Sequence, residues 1–422
     1  MKKYYFLILF LLSFRMGFSQ EDKIDDELDK RYPLLFKLNE SGSKFLSLTI
    51  WNTFRAGIKK IGTRDQKNFL DFKGSNIFVY GQFSPRFMVM TSIGSRSFNA
   101  QNTGVDGESK AMVFLNDATG EYMVIDKKMY IGLGLHYWCG ISRAQVGSGN
   151  SAMTMGGPND RVWLNYGRTG QAVREIGVFI KGSLSDKLKY SFTINDSENS
   201  YVVNDDTPIS KDVSAYAGAY ISPKVSNSEK SRLNYTSRLE YQFLDEEGDK
   251  FPFKSGSTFS KKGNVFNVGA GIWYHPNASI TLRDKLSPIT KISEIKNVNQ
   301  IEYQDALHFS VDAYLDMKGL TAYALFQDTN YGKNARGYRF TGSNTTLTLG
   351  YFLEDFNLQP YASYSFLHPR VDGYNSGWDM KLGINLLKLD IFLRASLEYK
   401  INKSVEDTSL NKSLILQVQF VI

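Results

Sequence analysis

Cysteine is almost absent: Cys139 stands alone among 422 residues. No internal disulfide can form, and no lipid-modified cysteine is available near the N terminus. Histidine is scarce too, with His136, His275, His308 and His368 as the full set. None lies in an HExxH motif, and neither a GxSxG elbow nor a phosphate-binding Walker loop occurs. Zinc, serine and nucleotide hydrolase chemistry therefore have no anchor, and no metal or cofactor is expected. His275-Pro276-Asn277 and His368-Pro369-Arg370, at expected strand ends with serines nearby, are weak enzymatic candidates, and the chain is read as a non-enzyme. After the N terminus, no apolar run reaches the ~18–20 residues a spanning helix needs.

The N terminus supplies a compartment. Lys2 and Lys3 precede an apolar run, Tyr4 to Phe14, followed by the small residues Gly17 and Ser19. That order predicts a secretory signal at 1–19, too short in its apolar part to cross a bilayer. Removing Lys2, Lys3 and Arg15 lowers the net charge of +7 by three. The remaining excess is spread out, with no basic patch of the kind nucleic acid requires. Residues 20–43 are polar and charged and are expected to form a periplasmic lead-in, partly disordered.

What the chain does have is alternation. Its last residues, KSLILQVQFVI, place Leu414, Leu416, Val418, Phe420 and Ile422 on one face of a strand. Ser413, Ile415, Gln417, Gln419 and Val421 take the other. Segments of this kind recur from residue 44 to the end, separated by short turns and long polar loops in alternation. Turns are expected at Ser84-Pro85, Asp126 to Lys128, Ser185 to Lys187, Met317 to Gly319, Glu354 to Asn357 and Leu387-Lys388. The long loops include 140–172, the stretch after Asn195 to Ser231, and His275 to about Tyr303. The count of strands is about sixteen.

An even strand number with short and long connections sorted alternately predicts a transmembrane antiparallel β-barrel over 44–422, all-β, with both termini periplasmic. The mean hydropathy of −0.31 is compatible, because alternating strands average an oily and a wet face. The 25 Tyr, 29 Phe and 5 Trp suit the aromatic girdles of such barrels. A propeller would show a repeat of about 40–50 residues, and none is found.

Face assignment gives the wall. Trp378, Met380, Leu382, Ile384 and Leu386 oppose Asp379, Lys381, Gly383 and Asn385. In lipid the apolar set faces outward and the charges face the bore. The expected inner wall carries Arg55, Arg86, Lys181, Lys189, Arg238, Lys381 and Arg394. Against these stand Asp117, Glu121, Glu175, Glu240, Asp312, Asp379, Asp390 and Glu398. The mixture of signs argues against a strong anion selector, since rings of one sign set selectivity. Asp117, Thr119 and Glu121 share a face opposite Phe114, Ala118 and Tyr122, while Tyr130, His136 and Trp138 also face inward. Salt bridges that stabilise the wall are the favoured reading of these charges, ahead of a transverse field.

Three stretches, FLNDA with EYMVIDKKMYIGLGLHYWCGISR from Phe114, residues 239–277, and YGQFSPRF at 80–87, resemble porin-like outer-membrane proteins of Bacteroidetes. These proteins are grouped with the phosphate-selective porin O and P family. The resemblance implies a sixteen-stranded pore, a homotrimer, with a long third loop folded into the lumen. It also implies the outer membrane of a Gram-negative bacterium, with lipid, lipopolysaccharide and the barrel assembly machinery as partners. Ile422 departs from the aromatic last residue usual in assembly signals.

Within the loop 140–172, Arg143, Arg161, Trp163, Tyr166 and Arg168, with Arg174 just beyond, are the candidate constriction residues. Arginines there could steer anions while rings greet sugar faces; equally, they could be solvated at the surface. The expected function is passive diffusion of small hydrophilic solutes or ions through a water-filled lumen. The alternative is a plugged barrel serving assembly or secretion.

Overall fold

A computed structural model of the chain describes residues 34–98, 112–137, 140–146, 153–155, 175–196, 208–216, 220–222, 225–226, 233–247, 264–283, 290–291, 294–295, 298–335, 341–388, 393–403, 405 and 409–421. The expected signal segment, most of the lead-in and residues 161–174 lie outside them. Sixteen antiparallel strands close into a barrel. They are β1 Phe45–Lys59, β2 Lys67–Ser84, β3 Phe87–Phe98, β4 Met112–Ile125, β5 Met129–His136, β6 Glu175–Ser183, β7 Leu188–Asp196 and β8 Leu233–Gln242. The second half comprises β9 Val265–Leu282, β10 Ile301–Met317, β11 Leu320–Asn330, β12 Gly342–Tyr351, β13 Leu358–Pro369, β14 Gly377–Lys388, β15 Leu393–Lys403 and β16 Leu410–Val421.

Each strand pairs with its sequence neighbours, and β16 closes on β1 from Trp51↔Val421 to Lys59↔Ser413. Beyond Val421 the edge of β1 would be left bare. A short strand, Leu34–Lys37, fills it by pairing with Leu48 to Phe45. An open edge is a template for unwanted pairing, so the mostly apolar Leu34-Leu35-Phe36-Lys37 has a structural task within a lead-in that is polar as a whole.

Connections sort by rim. One rim has 85–86, 126–128, 184–187, 318–319, 352–357 and 389–392; the other has 60–66, 99–111, 137–174, 197–232, 283–300, 331–341, 370–376 and 404–409. The tightest turn, Lys318-Gly319, takes positive φ at both residues, 49° and 85°. That is the backbone a two-residue hairpin demands, and glycine supplies half of it freely. The exception is 243–264, a long connection on the short-turn rim.

Burial is inverted relative to a soluble protein. Leu347, Leu349, Leu382, Leu397 and Leu416 are exposed, whereas Thr346, Thr348, Lys381, Glu398 and Gln417 are buried. An apolar belt of this extent cannot be left in water, and a barrel in lipid satisfies every backbone group along it. Exposed aromatics mark its borders: Phe83, Phe87, Tyr122, Tyr241, Phe243 and Tyr351 near the short-turn rim, Tyr274, Phe309, Phe326 and Phe366 nearer the other. On β11, Leu320 pairs with Tyr351 and Phe326 with Thr345. At ~3.3 Å per residue the two levels stand about 20 Å apart, near the height of a barrel's apolar band.

Several expected boundaries move. The loop expected at 275–303 shortens to 283–300, because a bulge between His275 and Ser279 absorbs Pro276-Asn277 and the ladder resumes to Leu282↔Ile301. β2 begins at Lys67, where charged residues on its inner face hid the alternation. A bulge in β4 opposite Ser92 and Ile93 shifts the phase of that strand. Phe114, expected beside Ala118 and Tyr122, therefore alternates with the exposed Val113 and Leu115 and lies on the inner side.

Candidate functional site

The wall charges are met mostly by neighbours on adjacent strands. Arg55 on β1 sits 3.5 Å from Asp71 on β2. Lys181 on β6 reaches Glu121 on β4 at 2.8 Å, its ammonium 5.2 Å from the Tyr130 ring. Asp117 accepts a hydrogen bond from the Ser92 hydroxyl at 2.6 Å. His136 is buried with its ring 5.0 Å from Phe179. Lys400 on β15 meets Asp379 on β14 at 2.6 Å, and Lys381 is buried on the same face. Arg86 is not on the wall: the hairpin closes through Pro85-Arg86, where the Ser84 hydroxyl accepts the Arg86 and Phe87 amides. Asp390 lies outside the described residues.

Two described pieces of the connection between β5 and β6, residues 141–146 and 153–155, touch inward residues of the wall. At the first, residues 141–146 lie on β8 to β11. Arg238 donates to the Ile141 carbonyl at 2.8 Å and to Asp312 at 2.8 and 2.9 Å, with Glu240 at 2.9 Å. Ser310 donates to the same carbonyl at 2.7 Å. The amides of Arg143 and Ala144 donate to Asp312 and to the Tyr323 hydroxyl. This close approach needs Gly271, because a Cβ there would stand 2.2 Å from the Ile141 oxygen. Gly269 makes room for the Arg238 guanidinium in the same way.

At the second contact, residues 153–155 lie on β12 to β15. The Met153 carbonyl accepts from Arg394 at 2.7 Å and Asn385 at 3.0 Å. The Met155 amide donates to Glu398 at 2.9 Å, and Glu398 also accepts from Tyr361 at 2.8 Å. The connection starts after β5, and its two described pieces lie on adjoining arcs of the wall, β8 to β11 and β12 to β15.

Of the candidate constriction residues, Arg143 is placed here, while Arg161, Trp163, Tyr166, Arg168 and Arg174 lie outside the described residues. Arg143 does not face open water. Its guanidinium grips Glu247 through two hydrogen bonds of 2.7 and 2.9 Å and lies 3.5 Å from the centre of the Tyr314 ring. Glu247 belongs to 243–264, the long connection on the short-turn rim. That connection opens on the acidic run Asp245-Glu246-Glu247. The usable signal was length: every other connection on that rim has six residues or fewer.

The inner wall is not equally covered. From β4 to β15 most inward polar side chains are buried, including Glu175, Asn234, Asn267, Asp316, Gln327, Asn344 and Ser365. On β1, β2 and β16 the inward Arg55, Asp71, Ser413 and Ile415 keep partial access, whereas Ser47, Thr49, Thr53, Gln417 and Gln419 on β1 and β16 are buried. Outside the barrel wall, the long-loop rim carries its own links. The Lys333 ammonium holds Asp212 by hydrogen bond and charge, keeping that carboxyl below the ordinary aspartate range. Arg370 is raised above the usual guanidinium range, first by its hydrogen bonds to Asp328.

No family model matches the sequence, and no curated protein matches it. Solved structures do match in three dimensions. A high-pH structure of OprB from Pseudomonas putida aligns with TM-score 0.59 at 10% identity, covering 89% of this chain and 94% of that one. OmpF of Salmonella typhi in complex with daunomycin aligns at 0.54 and 13% identity, over 90% and 98% of the chains. An anion-selective porin from Comamonas acidovorans aligns at 0.54 and 10%, over 89% and 100%. At such low identity the likeness carries the architecture alone: this chain has the closed sixteen-stranded antiparallel barrel fold of those outer-membrane proteins.

Proposed function

We propose that the chain is a channel of the Gram-negative outer membrane, passing small hydrophilic solutes and ions by diffusion through a bore narrowed by residues 141–146 and 153–155. The single observation behind this reading is that residues 141–146 and 153–155 lie on the inner wall of β8 to β15, while Arg55 and Asp71 on β1 and β2 keep partial access. A solute would travel along that side, past Arg55 and Asp71. The apolar belt with its aromatic borders supports the membrane setting. The sequence idioms that resemble Bacteroidetes porins grouped with the phosphate-selective O and P family support the same reading, and assembly as a homotrimer is part of the proposal. The lipopolysaccharide leaflet and the barrel assembly machinery are the partners this entails.

Ion preference follows from pairing. Arg55, Lys181, Arg238, Arg143 and Lys400 each have a carboxylate partner in the bore. Neutralised pairs make no ring of one sign, so selectivity is weak. Reversal potential across a salt gradient in planar bilayers tests this, with a value near zero expected. A strongly anion-selective potential would overturn the wall assignment. The extensive burial from β4 to β15 favours one second reading, a plugged barrel that serves a secretion or assembly partner. Liposome swelling separates the two: small sugars enter proteoliposomes if the first reading holds and stay out if the second does.

A further inference from the structure

The place where Arg143 sits is built for a guanidinium, whatever carries it. Glu247 offers both carboxylate oxygens to the two terminal nitrogens, a fork-to-fork geometry that selects planar guanidinium over a point-charge ammonium. The Tyr314 ring provides a flat face at 3.5 Å, where cation–π attraction is strongest for a desolvated cation. Each of these groups is held by others. Asn267 donates to Glu247 at 2.5 Å, the Glu247 amide donates to Gln242 at 3.2 Å, and the Tyr314 hydroxyl donates to Asp316 at 3.1 Å. Asn267, Gln242, Tyr314 and Asp316 all belong to β8, β9 and β10, the rigid part of the molecule. The pocket is therefore shaped by the wall and the start of 243–264, whereas its occupant comes from the inward segment.

We propose that Glu247, Tyr314 and the wall residues behind them form a guanidinium-binding site inside the bore. Arg143 fills it as a tethered ligand, and solutes bearing a free guanidinium group compete for it. The consequence rests on the channel reading: when a solute takes the site, the 141–146 anchor loosens and the passage widens. The tether favours Arg143 by an effective concentration in the mM range, so a competitor must exceed about that level.

Two measurements test this separately. The first needs no conduction. Purified R143A, verified as folded by its heat-shifted mobility on gels, is titrated calorimetrically with methylguanidinium. Saturable binding is expected, lost in R143A/E247Q and much weaker for methylammonium. Absence of saturable heat in folded R143A, or its persistence in R143A/E247Q, overturns the site.

The second is single-channel conductance of the wild-type chain with methylguanidinium against tetramethylammonium at equal ionic strength. A rise of about twofold with the guanidinium alone is expected, and no rise in R143A, which starts high. Equal effects of the two cations would refute competition. A chain that is silent under all conditions while R143A still binds would instead sink the channel reading and leave the pocket standing.

Discussion

Glu398 on β15 receives the Met155 amide at 2.9 Å and the Tyr361 hydroxyl at 2.8 Å, so one buried carboxylate ties the inward segment to the wall. Replacing it frees both donors at once. Glu398→Ala is expected to raise conductance and add flicker, because the tip of the segment loses its hold. The unsatisfied groups cost about 1–3 kcal/mol of local stability. Single-channel recordings check this; unchanged step size and noise would mean the tip does not narrow the path.

Gly271 tests the other anchor by shape alone. Its missing Cβ leaves room for the Ile141 oxygen, which would otherwise stand 2.2 Å away. Gly271→Ala should push residues 141–146 off the wall, raise conductance and leave the barrel intact. Circular dichroism and gel mobility report the barrel, and conductance reports the segment. A variant with native conductance would show that the approach is not needed.

The Lys181–Glu121 pair is buried at both ends, at 3% and 4% side-chain exposure. Breaking it by Lys181→Met strands a carboxylate, at a cost of about 3–5 kcal/mol. The double variant Lys181→Met with Glu121→Gln should recover most of that loss, since a neutral amide has no charge to desolvate. Urea unfolding in detergent measures both. Equal stability of the single variant and wild type would place the pair in water, not in a dry wall.

Asp212 gives a pH dependence with a definite sign. Lys333 depresses its folded pKa, so the loop link is present above the unfolded aspartate value and fades as pH falls through the lower, folded one. The carboxyl is fully exposed and the link serves local order, not global stability. Carbon-13 titration of Asp212 should show a midpoint below that of the Lys333→Met variant. Identical midpoints would remove the pairing from solution.

Much of the architecture was legible because lipid imposes a simple code: Trp378 to Leu386 alternate without interruption, Leu414 to Phe420 break step only at Ile415, and most turns fall where short polar runs separate such strands. The code failed where a bulge shifts its phase, as at Phe114 and around Asn277, since period-two reasoning has no memory across an extra residue. It also failed where both faces of a strand are polar near a rim, as at the start of β2. The wall charges could be listed from alternation, but their partners could not. Nothing in the sequence couples Arg143 to Glu247 or Met155 to Glu398, contacts made only when a loop of one rim folds back into the bore. The edge-covering strand Leu34–Lys37 was hidden for a similar reason, its partner being set by where β16 ends.

The part of the proposal that matters most is the route: solutes would pass Arg55 and Asp71 on β1 and β2, not the buried inner face of β13. Substituted-cysteine blocking measures it directly, in a Cys139→Ser background with a charged methanethiosulfonate applied to open channels. Arg55→Cys should be modified and lose conductance, whereas Ser365→Cys, on the buried side, should be untouched. Block at Ser365→Cys with none at Arg55→Cys would contradict the account.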